Sequence, residues 1–163
     1  MKHTISALVE NHSGVLSKIS GLFSRRGFNI ESLAVGPTKD PSISRITIIT
    51  NGDDHTVEQI EKQLNKLIDV IKVKTFSEHE YLACELVIVK VSASAEKRNE
   101  VLTIAEITGA KIMDLTTNTM TLVICENPEN LKRFIDVIQP YGILEIVRTG
   151  TVAIEKGAGT FRV

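Results

Sequence analysis

The stretch Val9–Leu33, VENHSGVLSKISGLFSRRGFNIESL, decides the fold. It reads as the end of a strand, a tight turn, one amphipathic helix, a second tight turn and the start of another strand. Val15, Leu16, Ile19, Leu22 and Phe23 recur at the spacing of a helix packed on a sheet. Ser13 is placed to cap the helix, its hydroxyl oxygen taking a backbone N–H of the first turn. Gly14 follows and leaves the backbone bare. Arg25 and Arg26 fall in the last turn, where cations oppose the negative end of the helix dipole. Gly27 ends the helix, and Phe28-Asn29-Ile30 opens the next strand.

Outward from there, His3–Glu10 alternates as a strand, with Ile5, Ala7 and Val9 on one side. Asn29–Val35 and Ser44–Thr50 are two more strands around the Gly36–Pro41 loop. A second helix follows Asn51-Gly52-Asp53-Asp54, with Val57, Ile60, Leu64, Leu67 and Ile68 as its stripe, and Asp69–Thr75 is the fourth strand. The order β-α-β-β-α-β is the ferredoxin-like split unit. Both helices cover one sheet face, which leaves the other face to be covered, and an exposed apolar sheet face or edge usually means a partner.

The pattern then repeats. Cys84–Val91 is a strand, Glu96–Ile107 a helix, and Ala110–Leu115 with Thr119–Cys125 a hairpin. Pro128–Ile138 is a helix with proline in its first turn, and Ile143–Ile154 is a strand interrupted at Gly150. The expectation is an α+β protein of two ferredoxin-like βαββαβ domains, residues 1–77 and 78–163. The end of the chain, Gly157–Val163, carries no structural pattern.

Composition excludes several classes. The chain has 163 residues, 42% of them hydrophobic, and a net charge of −1. Up to Glu78 there are 10 basic and 9 acidic residues, and 9 and 11 beyond it, so neither half is a nucleic-acid module. No apolar run reaches the length of a membrane span, and the start lacks the pattern of a signal peptide. Cys84 and Cys125 lie in apolar runs and read as buried thiols of a reducing compartment, so the expected location is cytoplasmic. His3, His12, His55 and His79 show no metal-ligand spacing, and neither cysteine is part of a CxxC. No nucleophile is placed with a base, and no phosphate loop is present, which leaves a protein that is not an enzyme.

The turn into the first helix is the one candidate site. Open N–H groups at a helix N-terminus suit an anion, and the amides of Asn11 and Asn29 offer both donor and acceptor. Together they suit a carboxylate and an ammonium, the two ends of a free amino acid. The alternative is an ordinary capped helix between two strands.

Residues 8–48, LVENHSGVLSKISGLFSRRGFNIESLAVGPTKDPSISRITI, with QIEKQLNKLIDVIKV at 59–73, resemble the regulatory (small) subunit of acetohydroxyacid synthase, also called acetolactate synthase. The likeness is dense over about residues 4–75. It is looser in the second half, at IVRTGTVAIEKG, residues 146–157. The motif N-x-x-G-V-L-x-x-I-x-x-L-F-x-x-R-G-x-N-I-E-S-L is long enough to indicate that subunit, whereas a shorter version would indicate only an ACT domain, the amino-acid-sensing βαββαβ module.

The resemblance implies a homodimer through the ACT domain and a complex with the large catalytic subunit. It also implies activation of that subunit and feedback inhibition in branched-chain amino acid (valine and isoleucine) biosynthesis, usually by valine. The effector-binding residues it implies are Asn11, His12, Ser13, Gly14, Val15 and Leu16 of one chain with Asn29 and Ile30 of the other. His12 stands where the family has a small or acidic residue. Thiamine diphosphate, FAD and magnesium would belong to the catalytic partner and none of them to this chain. The alternative function is a stand-alone ACT-type module regulating another enzyme or transcription.

Overall fold

Apolar alternation fixes which face of each strand meets the helices. The computed structural model describes all residues, Met1–Val163. Its elements in chain order are β1 (Lys2–Glu10), α1 (Val15–Arg26), β2 (Ile30–Pro37), β3 (Ile43–Asn51), α2 (Asp54–Leu64), β4 (Val70–Phe76), β5 (Tyr81–Ser92), α3 (Arg98–Thr108), β6 (Lys111–Leu115), β7 (Thr119–Glu126), α4 (Pro128–Ile138), β8 (Ile143–Arg148) and β9 (Val152–Glu155). The first sheet has strand order β2-β3-β1-β4, and the second has β6-β7-β5-β8, with β9 also paired to β5. Each is the antiparallel sheet of a βαββαβ unit.

The chain forms two compact units, Met1–Leu82 with Thr151–Val163, and Ala83–Gly150. In the first unit Ile5, Ala7 and Val9 of β1 and Ile46 and Ile48 of β3 meet Val15, Ile19 and Phe23 of α1 and Val57, Ile60 and Leu64 of α2. The second unit has its own core, with Val87, Val89 and Val91 of β5 and Met120, Leu122 and Ile124 of β7. Against them lie Val101 and Ala105 of α3 and Leu131, Phe134 and Ile138 of α4.

Three expectations change. The helix expected to reach Leu67 stops at Leu64, so Ile68 leaves the stripe and is 91% exposed. The cysteines are not both buried: Cys84 is half-buried and Cys125 exposed, because both stand on the face of their strands opposite the helices. A single cut after residue 77 also separates residues 151–163 from the unit they pack with.

That last difference has a clear cause. Thr4, Ser6 and Leu8 of β1 and Thr47 of β3 face away from the helices yet are buried. The closing segment lies with them. The Thr151 N–H donates to Ser32 Oγ at 3.0 Å, and Glu155 pairs with Lys74. Lys72 Nζ donates to the Arg162 carbonyl at 3.0 Å. Phe161 is only 9% exposed, with the Arg45 guanidinium 5.3 Å and the Lys72 ammonium 5.6 Å from its ring centre. The open face of the first sheet is covered by the protein's own chain.

Candidate functional site

Asn11–Leu16 form the junction of β1 and α1. The Asn11 N–H donates to the Ser42 carbonyl at 2.7 Å, and its side-chain Nδ2 to the Pro41 carbonyl at 2.8 Å. The side-chain oxygen of Asn11 is left for another donor. The residue flanking the helix is Gly14 and not Ser13. Gly14 sits at φ 90°, ψ −16°, and no side chain caps the helix. A glycine takes this backbone turn freely, while an L side chain is strained there. The first bond of the helix is Lys18 N–H to the Gly14 carbonyl at 3.0 Å. The N–H groups of Val15, Leu16 and Ser17 precede it and point out of the helix end. A Cβ built on Gly14 would meet nothing within 4 Å, so the space beside this residue is open.

Side chains sort the remaining residues. Val15 is buried in the core, so only its N–H is available. Leu16 is 44% exposed beside the turn. Asn29 and Ile30 follow the other end of α1. The side chain of Asn29 is exposed while its carbonyl accepts from Thr50 Oγ1 at 2.7 Å. Ile30 opens β2 and packs partly on the core. A 12-residue helix is about 18 Å long. Within one chain, the turn and Asn29 therefore lie at opposite ends of α1 and do not form one site. β2 is an edge strand, with a free side for pairing.

One cluster beside the turn has no local signal in the sequence. His12 Nδ1 faces the Ser13 carbonyl at 3.0 Å. Its Nε2 faces Glu10 Oε2 and Asp69 Oδ1, each at 3.1 Å. Lys18 Nζ donates to the other Asp69 oxygen at 2.6 Å. With acceptors at both ring nitrogens, the imidazolium form satisfies every contact. The Ser13 carbonyl, with Asp69 and Glu10, raises the His12 pKa above its ordinary value. The Lys18 ammonium, with His12, lowers that of Asp69. Only the two-residue spacing of Glu10 and His12 could be read from sequence, since Asp69 comes 57 residues later.

These directions set a pH dependence. The His12 contribution to stability is full below its unfolded value and fades as pH rises through the higher folded one. The Asp69 contribution is full above the carboxylate range and is lost on acidification. His12→Ala should therefore lower the urea midpoint at about pH 5.5, and lower it much less at about pH 9. An equal loss at both would mean that His12 is neutral in the folded protein.

Residues 5–72 match the family described as the AHAS small subunit-like ACT domain, and residues 84–157 match that described as the small subunit of acetolactate synthase. The chain belongs to the family of acetolactate synthase small subunits. A probable acetolactate synthase small subunit of Archaeoglobus fulgidus is 46% identical over 157 residues, covering 96% of this chain and 98% of that one. The acetolactate synthase small subunit of Mycolicibacterium smegmatis is 44% identical, over 95% of this chain and 91% of its own. The crystal structure of the acetolactate synthase small subunit from Thermotoga maritima superposes with a TM-score of 0.90 at 36% identity. It covers 96% of this chain and 98% of that one. The first βαββαβ unit is thus the ACT domain of a small subunit, which supports a regulatory role. No helix is long and apolar enough to cross a membrane.

Proposed function

We infer that this small subunit binds the catalytic subunit of acetolactate synthase in the cytoplasm, activates it, and makes it sensitive to a branched-chain amino acid, with valine the first candidate. The catalytic partner carries thiamine diphosphate, FAD and magnesium, and this chain supplies none of the reacting groups. The observation that carries the reading is the uncapped N-terminus of α1 behind a glycine that leaves open space.

The second support is the separation of Asn29 from that turn along the length of α1. A second chain paired at the edge strand β2 brings its Asn29 and Ile30 to the first chain's Asn11–Leu16. In such a homodimer the effector carboxylate takes the N–H groups of Val15 and Leu16, beside Ser13 and His12. The Asn11 oxygen and the partner's Asn29 take the ammonium. Leu16 and the partner's Ile30 flank the aliphatic side chain, and Gly14 keeps the approach clear.

Calorimetric titration of the full chain with valine, leucine and isoleucine tests the reading, alongside an activity assay with the catalytic subunit. Asn29→Ala should weaken effector binding about tenfold or more, the loss of a hydrogen bond to a charged group, with activation retained. Unchanged affinity would remove Asn29 from the site. No binding of any of the three amino acids by the parent would overturn the effector reading.

A further inference from the structure

The second sheet carries a pair of thiols on the face away from its helices. β5 and β7 pair antiparallel, with Leu86 opposite Cys125. Val87, Val89 and Val91 of β5 and Met120, Leu122 and Ile124 of β7 are buried on the helix side. The strand period of two therefore puts Cys84, Leu86, Ile88, Val123 and Cys125 on the other face. Cys84 lies two residues before Leu86, diagonal to Cys125, and the two Sγ atoms are 2.9 Å apart. No other pair of residues of this reactivity meets in the chain, since these are its two cysteines.

We propose that Cys84 and Cys125 form an oxidisable dithiol, a modification site that closes to an intramolecular disulfide in the presence of a peroxide or a low-molecular-weight disulfide. Access divides the roles. Cys125 is exposed and meets the oxidant, whereas Cys84 is half-buried and waits beside it. The hydrogen bond with Cys125, then burial, pushes the Cys84 thiol up to about 11, so Cys84 is not the thiol that meets the oxidant first.

With a peroxide, the Cys125 sulfur takes one oxygen, giving a sulfenic acid and one water. The Cys84 sulfur then attacks the Cys125 sulfur, the S–O bond breaks, and the oxygen leaves as a second water with the Cys84 proton. Two thiols are oxidised and one peroxide is reduced to two waters. With a small disulfide, Cys125 exchanges first to a mixed disulfide. Cys84 then displaces the remaining small thiol, so two small thiols are released for the two protein thiols consumed.

The sulfurs close from 2.9 Å to the roughly 2.05 Å of a disulfide. Closure ties β5 to β7 across the chain that contains α3 and β6. It therefore restricts the unfolded state of the second unit and raises that unit's unfolding temperature. In a reducing compartment such a bond is transient, which makes it a record of oxidant exposure.

The test treats the full-length protein with glutathione disulfide, and separately with hydrogen peroxide, then counts free thiols and weighs the denatured protein. The parent should lose both thiols together and two hydrogens in mass, remain a single chain on a non-reducing gel, and recover with a dithiol reductant. Cys84→Ser should instead hold one glutathione on Cys125. Cys125→Ser should react about tenfold or more slowly than the parent, because the exposed thiol that meets the oxidant is gone and Cys84 is half-buried. Circular dichroism checks that both variants are folded. A parent that carries glutathione on both cysteines, crosslinks between chains, or keeps both thiols under conditions that modify the Cys84→Ser variant overturns the proposal.

Discussion

Gly14→Asp is expected to abolish amino-acid feedback while leaving a folded subunit that still activates its catalytic partner. The introduced carboxylate sits before the N–H groups of Val15, Leu16 and Ser17, where the effector carboxylate is proposed to lie, and both repels and displaces it. The dipole of α1 adds only about 0.3–1 kcal/mol for an anion. Hydrogen bonds to a charged group are worth about 1.5–3 kcal/mol each, so losing two of them weakens binding about a hundredfold or more.

The substitution also has a cost in the fold. Gly14 adopts φ 90°, where an L side chain costs roughly 1–2 kcal/mol, although a Cβ there meets no neighbour. Gly14→Ala carries the same strain without the charge. It should therefore lose similar stability and far less binding. Calorimetry of both variants with the amino acid separates the two effects. Equal binding by Gly14→Asp and the parent would place the effector elsewhere.

Phe23→Ala should remove a large part of the stability of the first unit and little of the second. Phe23 is 1% exposed, and its ring meets Phe28 edge-on with centres 5.9 Å apart. Truncating a buried phenylalanine to alanine costs about 3–5 kcal/mol through lost burial and the cavity left behind. Whole domains are stable by only about 5–15 kcal/mol. The second unit keeps a separate core around Val89, Leu122 and Phe134, none of which touches the change. Hydrogen exchange should show β1 and β3 losing protection while β5 and β7 retain it. Loss of protection in all four together would mean that the units unfold as one.

The elements that the sequence revealed best are those whose local chemistry agrees with their packing. Pro128–Ile138 is helical from its first to its last expected residue. Proline occupies the first turn, Asn127 caps the Asn130 N–H, and Leu131, Phe134 and Ile138 form the buried stripe. Ser13 misled because a serine before an apolar helix looks like a cap, yet the turn needs the positive φ of Gly14 and the helix starts one residue later. The cysteines misled because an apolar run does not say which face of a strand a residue occupies. The contact of His12 with Asp69 joins distant segments, and no periodicity announces it. The β1–α1 turn at Asn11–Leu16 was legible as a turn because it is contiguous. One chain holds Asn29 at the far end of α1, so no local pattern joins the two, and only the family resemblance suggested that they meet.

The cover over the first sheet makes that unit discontinuous along the chain. Its last pieces, from Thr151 to Phe161, are synthesised only after all of the second unit. On the ribosome, β1–β4 and both of their helices emerge before the segment that packs beside Leu8 and Arg45, and they wait while about 70 further residues are made. The contact between Ser32 and Thr151 closes across 119 positions, a separation that slows folding far more than it weakens the product. The second unit is in effect an insertion, folded while its host waits to be finished. A nascent chain stalled before Phe161 would carry a nearly complete ACT domain with an uncovered sheet, the kind of surface that chaperones hold.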